Sequence, residues 1–191
     1  DSANIVEWKV ASIPSSGSGT TLGFHDVPSG VFTPLWGVFS SSNAYWASNP
    51  GSTGWSTLVH ELGHMLGLAH PHDGGDRYDA STFPGVTGAF GSYGTDNMNQ
   101  SIWTVMSYNH GWKDVPTSIP TLYGDIITPM ALDIAALQKI YGANNTYNAG
   151  DNTYLMPVSN VAGTGWQCIW DAGGTDCISA ANELTGSIIN L

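Results

Sequence analysis

The segment HELGHMLGLAH, residues 60–70, carries three histidines and a glutamate at fixed intervals. His60 and His64 are an i, i+4 pair, so on a helix both imidazoles leave the same side. A helix does not easily bring a third ligand round the same ion. Gly67 breaks the helix and turns the chain so that His70 can swing back. Zinc takes imidazole nitrogens at about 2.0–2.1 Å in a tetrahedral arrangement and keeps one position open in catalytic sites. Three neutral imidazoles leave the ion its full charge, which lowers the pKa of a bound water towards neutrality. Glu61 lies about 100° round the helix from His60, beside that water. It is suited to take the water's proton as general base and to pass it on. The bland alternative is a helix that happens to carry three histidines. With 6 histidines and 24 glycines in 191 residues, the five fixed positions coincide by chance only about once in tens of thousands of such chains.

These side chains need elements to position them. In STGWSTLVHELGHMLGL, residues 52–68, Trp55, Leu58, Val59, Leu62, Met65 and Leu66 recur at helical spacing. Ser52 or Thr53 caps the start and Gly67 stands at the stop. A second helix is predicted in ITPMALDIAALQKIYGAN, residues 127–144. Thr128 is its expected cap, Pro129 its first residue, Met130, Ile134, Leu137 and Ile140 or Tyr141 its apolar stripe, and Gly142 its stop. IVEWKVASI reads as a strand within residues 1–13, SSGSGT as a turn, and residues 21–48 as two or three short strands. Residues 71–101 read as a long irregular loop, and short β-like segments alternate with turns from 145 onward. The expected division is a catalytic domain over 1–144 and a β-rich appendage over 145–191.

Hydrophobic residues make up 41% of the chain and charged residues 10%, with a net charge of −11 from 15 acids against 4 bases. Such a surface repels phosphate backbones, which argues against nucleic acid as a partner. An acidic, lysine-poor surface with Asp/Gly loops fits an extracellular protein that binds calcium, although acidity for solubility needs no partner. No run of 18 apolar residues is present to span a membrane, and DSANIVEWKV is not a signal peptide. Cys168 and Cys177, nine residues apart, suggest a short-range disulfide in an oxidising compartment; two buried thiols are the alternative.

At its histidine motif the chain resembles the metzincin clan of zinc endopeptidases, whose second mark is a methionine-containing turn. SIWTVMSYNHG, residues 101–111, supplies that turn, with Met106 lying 36 residues beyond His70. Within the clan it is similar to the serralysin family. Pro71 after the third histidine, MSY at 106–108, the helix PMALDIAALQKIYGAN and WDAGGTD at 170–176 carry that likeness. The resemblance implies an α+β, metzincin-type zincin domain: a twisted, mostly parallel sheet, an active-site helix, a C-terminal helix, then a β-rich calcium-binding segment. It implies secreted hydrolysis of internal peptide bonds, with protein or peptide substrates and a proteinaceous inhibitor as partners. It makes Met106 an apolar floor under the imidazoles and Tyr108 a hydrogen-bond donor to the oxyanion. It also implies a calcium ion between NAGDN at 148–152 and DAGGTD at 171–176, held by Asn148, Gly150, Asn152, Asp171, Gly173 and Asp176. Substrate would lie along an edge strand, for which SSSNAYWAS at 40–48 is the candidate, with Trp103, Tyr108 and Trp112 lining the side-chain pocket.

The chain departs from that family in lacking the long segment expected before ANIVEW and the glycine-rich nonapeptide repeats expected after GGTDCI. A fragment of a longer or nicked enzyme is therefore a second expectation, with the missing N-terminal segment as a further partner. A zinc-containing module impaired in catalysis is the competing function, and its signature would be the loss of Glu61. His72 is expected to be exposed or to sit behind the ligands. His25 and His110 are expected to make local hydrogen bonds. Asp73, Asp76 and Asp79 read as a solvated acidic loop, with a further calcium loop as the alternative.

Overall fold

The computed structural model describes residues 4–14, 20–28, 34–41, 49–74, 81–114 and 123–184. Alternating Ile5, Glu7, Lys9 against Val6, Trp8, Val10 makes IVEWKV a strand, β1, Ile5–Val10. β2 is Gly23–His25 and β3 is Leu35–Ser40. β3 lies in the middle of the sheet they form, with β1 parallel to it and β2 antiparallel. The described sheet is thus mixed, where a mostly parallel one was expected. The chain doubles back through β2 before rejoining the β1 direction, and that reversal creates an antiparallel edge.

The two-residue period sorts the sheet's faces. Gly23, His25, Gly37 and Phe39 face the helix described next, and Phe39 and His25 are buried there. Trp8 and Trp36 stand on the opposite face, edge to face with ring centroids 5.8 Å apart and more than two-fifths exposed.

Helix α1, Thr53–Met65, starts where Ser52 Oγ accepts the Trp55 amide at 3.2 Å. It ends as predicted, with Gly67 in the left-handed region at φ 91°. The fully buried positions of α1 are Gly54, Ser56, Glu61 and Gly63 rather than its large apolar residues. Small residues there let neighbouring chain approach closely: a Cβ on Gly63 would lie 2.5 Å from Met106 Sδ.

Helix α2, Ala131–Tyr141, is capped differently from the sequence reading. The Met130 amide donates to Asp133 Oδ2 at 2.8 Å, so a carboxylate three positions on closes the first turn. Thr128 is engaged elsewhere, accepting the Cys168 amide at 2.9 Å and donating to the Cys168 carbonyl at 3.3 Å. Gly142, at φ 86°, ends the helix. Its last residue is tied back to α1, because the Tyr141 hydroxyl donates to the Leu66 carbonyl at 3.0 Å.

Leu68, Val105, Met106, Ile126 and Met130 form the buried cluster, with Val59, Leu137 and Trp166 packed on it. Irregular chain around it is held by buried amides rather than by apolar side chains. Asn99 and Gln100 are almost fully buried. Ser107 Oγ donates to Asn99 Oδ1 at 2.7 Å, and the Lys113 amide donates to Gln100 Oε1 at 2.6 Å. This is where a chain poor in charge and rich in Asn, Ser and Gly places its polarity.

Two short parallel strands, β4 Thr153–Leu155 and β5 Cys177–Ser179, complete the described elements. The disulfide expected between Cys168 and Cys177 is not formed; both are free thiols. Cys168 is fastened to Thr128 and packs on the core, whereas Cys177 is exposed and pairs with Thr153 in the β4–β5 ladder. Different elements hold the two, so nearness in sequence does not bring their sulfurs together. No described helix is long and apolar enough to cross a membrane.

Candidate metal centre and cleft

The sequence-predicted ligands converge. His70 Nε2 lies 3.1 Å from His60 Nε2 and 3.0 Å from His64 Nε2. Tetrahedral zinc with nitrogens at about 2.0–2.1 Å would hold them about 3.3 Å apart, so the donor set fits the ion. Each imidazole is fixed from behind through Nδ1. His60 Nδ1–H donates to the Val105 carbonyl at 2.7 Å and His64 Nδ1–H to the Leu68 carbonyl at 2.9 Å. His70 Nδ1 pairs with Asp73 Oδ2. Carbonyl and carboxylate partners require the proton on Nδ1, leaving each Nε2 bare towards the centre. Burial holds His60 down to about 3 and His64 down to about 4, reinforced by the neighbouring imidazoles. Both are therefore neutral, as metal ligands must be.

Glu61 is 7% exposed and faces the same space as His60. Its Cγ packs on β2, where a Cβ at Gly23 would meet it at 3.0 Å. Burial pushes its carboxyl up to about 7, the Glu7 charge adds to this, and the His25 backbone amide opposes it. The imidazole of His25 is buried against Glu7, with Nε2 3.0 Å from Oε1. Tyr108 closes the other side, its ring 4.8 Å from that of His70 and 5.6 Å from that of His60. His72 stacks behind His70 at 4.9 Å. With His70 and Asp73 it forms a second group of potential ligand atoms, all within 4.8 Å of one another. Asp76 and Asp79 lie outside the described residues.

Met106 is 1% exposed and lies against Gly63, between the two helical histidines. Two supporting residues escaped the sequence reading. Asp133, 2% exposed, accepts from Thr104 Oγ1 at 2.6 Å and from the Val105 and Met130 amides at 2.8 Å. It fixes the backbone whose next carbonyl orients His60. Burial raises its carboxyl pKa, opposed by those three bonds. Its signal was an acid within the apolar run MALDIAAL. Asp73, expected in a solvated acidic loop or a calcium loop, instead pairs with His70, and a carboxylate three residues past a ligand is a natural orienter.

A cleft of about 480 Å³ opens beside Glu61, between α1, residues 20–23 and residues 105–110. Among the described residues the edge strand beside it is β2. Ser40 and Ser41 are inside the sheet, their amides bonded to the Leu22 and Val10 carbonyls at 2.8 and 2.9 Å; residues 42–48 lie outside the described residues. The apolar lining is Leu22, Phe90, Val105, Tyr108 and Ile126, and it excludes Trp103 and Trp112.

The two loops expected to hold calcium are brought together. The Thr175 amide donates to Asp151 Oδ1 at 2.8 Å and the Asn152 amide to Asp176 Oδ1 at 2.9 Å. Tyr154 OH donates to Asp171, whose other oxygen accepts the Gly173 amide at 2.9 Å. The Asn152 side-chain amide reaches the Gly150 and Asn148 carbonyls, 2.6 and 3.1 Å away. With its NH₂ inward it donates to both.

No protein-family model matches the chain. Among curated proteins it is similar to metallopeptidase AprA of Pseudomonas marginalis, 36% identical over 152 residues, covering 72% of this chain and 29% of the relative. It is similar to serralysin C of Dickeya chrysanthemi, 34% identical over 167 residues, 82% of this chain and 32% of that one. It also resembles the serralysin of Proteus mirabilis, 31% identical over 151 residues, 74% of this chain and 28% of that one. The chain thus spans about three tenths of the length of these relatives. At that coverage the likeness supports a metalloprotease of the serralysin kind, with a histidine cluster compatible with its metal.

Proposed function

We propose that this chain carries the active site of a secreted zinc endopeptidase of metzincin type. The supporting observation is the convergence of three bare Nε2 atoms, each anchored through Nδ1, in a cleft shared with a buried glutamate. Zinc, when bound, would supply the charge that polarises a scissile carbonyl and acidifies a water. His60, His64 and His70 hold it. Glu61 accepts the proton and returns it to the leaving amine, its side chain kept in place by Gly23 and the His25 amide. The Tyr108 hydroxyl donates to the developing oxyanion.

A peptide substrate lies along β2. Leu22 and Asp26 bond to β3, so the Gly23 backbone groups and the His25 carbonyl turn to the edge that no described strand pairs, while the His25 amide serves Glu61. Asn148, Gly150, Asn152, Asp171, Gly173 and Asp176 hold calcium and brace the end of the chain.

The test is cleavage of casein and of a quenched peptide library by the zinc-loaded protein. Cleavage abolished by Glu61→Gln and by a chelator is the expected result. Activity that survives both would overturn the mechanism. Zinc retained in the three-histidine site without any cleavage would leave a binding module instead.

A further inference from the structure

Beyond the ligands the cleft runs along α1 towards its N-terminus, and it ends on a charge that hydrolysis itself does not use. Ser56 lies one helical turn before His60, about 6 Å along the axis. Its hydroxyl donates to Asp125 Oδ2 at 3.1 Å. Asp125 is anchored by backbone bonds, its amide to the Gly51 carbonyl and its carbonyl to the Trp166 amide, both at 2.9 Å. Its side chain is 13% exposed. Oδ1 accepts the Ile126 amide at 2.8 Å, and His110 Nδ1 stands 3.4 Å from Oδ2. A carboxylate offers about four acceptor positions, so these contacts leave capacity for one more donor. Among the described residues no lysine or arginine lines the cleft, and its two imidazoles are His60, turned to the metal centre, and His110, two-thirds exposed.

Resting on the hydrolase reading above, we propose that Asp125 selects substrates bearing lysine or arginine next to the cleaved bond. A peptide paired with β2 turns alternate side chains towards α1. One beside Glu61 enters between α1 and residues 107–110, where Leu22, Val105 and Ile126 offer apolar wall to a methylene stem. An extended lysine or arginine side chain spans about 6–7 Å, matching the one helical turn from His60 to Ser56. Its charged end then meets Asp125 in a site shielded from water, where a charge-assisted bond is stronger than in solvent. A glutamate there would face two carboxylates. Norleucine would leave the fourth acceptor position of Asp125 unfilled, which is the discrimination a polar pocket performs well.

The experiment uses the zinc-loaded protein and peptides that vary only at the positions flanking the scissile bond, carrying lysine, arginine, norleucine or glutamate. At one flanking position, kcat/KM for lysine or arginine should exceed that for norleucine by about tenfold or more. Asp125→Asn should bring the ratio close to one, while Asp125→Glu retains most of it. Should Asp125→Asn unsettle its own segment, Thr21→Lys places a cation in the cleft without touching the Asp125 backbone bonds, and the ratio should fall likewise. Binding gives an independent reading: Glu61→Gln protein should bind the lysine peptide about tenfold tighter than the norleucine one, and lose that margin with Asp125→Asn added. Cleavage without such a preference, or with a preference that neither variant moves, overturns the proposal and leaves the hydrolase standing. Absence of cleavage with the binding preference intact supports Asp125 and removes the hydrolase reading. Absence of both removes both.

Discussion

Each imidazole of the centre is gripped at Nδ1 by a different piece of chain: the Val105 carbonyl, the Leu68 carbonyl and the Asp73 carboxylate. Exchanging Asp73 for asparagine weakens one grip and leaves all three ligands. Zinc affinity, measured by competition with a chelating dye, should fall roughly 10–100-fold. Glu61→Gln, by contrast, should keep the zinc and lower kcat by about 10²–10⁴, the usual contribution of a positioned base. The convergence of the three histidines beside Glu61 was legible in sequence because a helix converts spacing into direction. The Val105 carbonyl was not, because every residue has a carbonyl and only tertiary packing chooses one.

At the scale of elements, α1 was legible from its stripe, its Ser52 cap and the left-handed Gly67. Its tight contact with the turn below was less so, since glycine leaves no periodic trace. Gly63→Ala should drive a methyl group into the Met106 sulfur and destabilise the fold by about 1–3 kcal/mol in denaturant melts. The cap of α2 was misread because Thr-Pro is a strong local signal, and the buried Asp133 outcompeted it. Asp133→Ala leaves the Thr104 hydroxyl and the Val105 and Met130 amides without their acceptor. It should cost about 2–4 kcal/mol and weaken zinc binding through Val105. Strand β2 was hard to see: three residues carry little pattern, and its place follows from pairing with β3.

Across the whole molecule, two gathering points stand out, the histidine centre and the paired loops before β4 and β5. If calcium occupies the second, millimolar calcium should raise the melting temperature, and Asp171→Asn with Asp176→Asn should remove that rise. A shift unchanged in the double variant would reject the ligand set. Reductant should leave the melting temperature unaltered, and thiol titration should count both cysteines, because neither is bonded.

The histidine centre also has a meaning in the language of polymer networks. With a metal bound, that ion and the bonds behind the imidazoles would join α1, residues 68–73, the turn at Val105 and, by way of Asp133, α2 at one junction. Such a junction shortens every loop that passes through it. Withdrawing the metal should therefore speed amide exchange in all four segments together, as one cooperative unit.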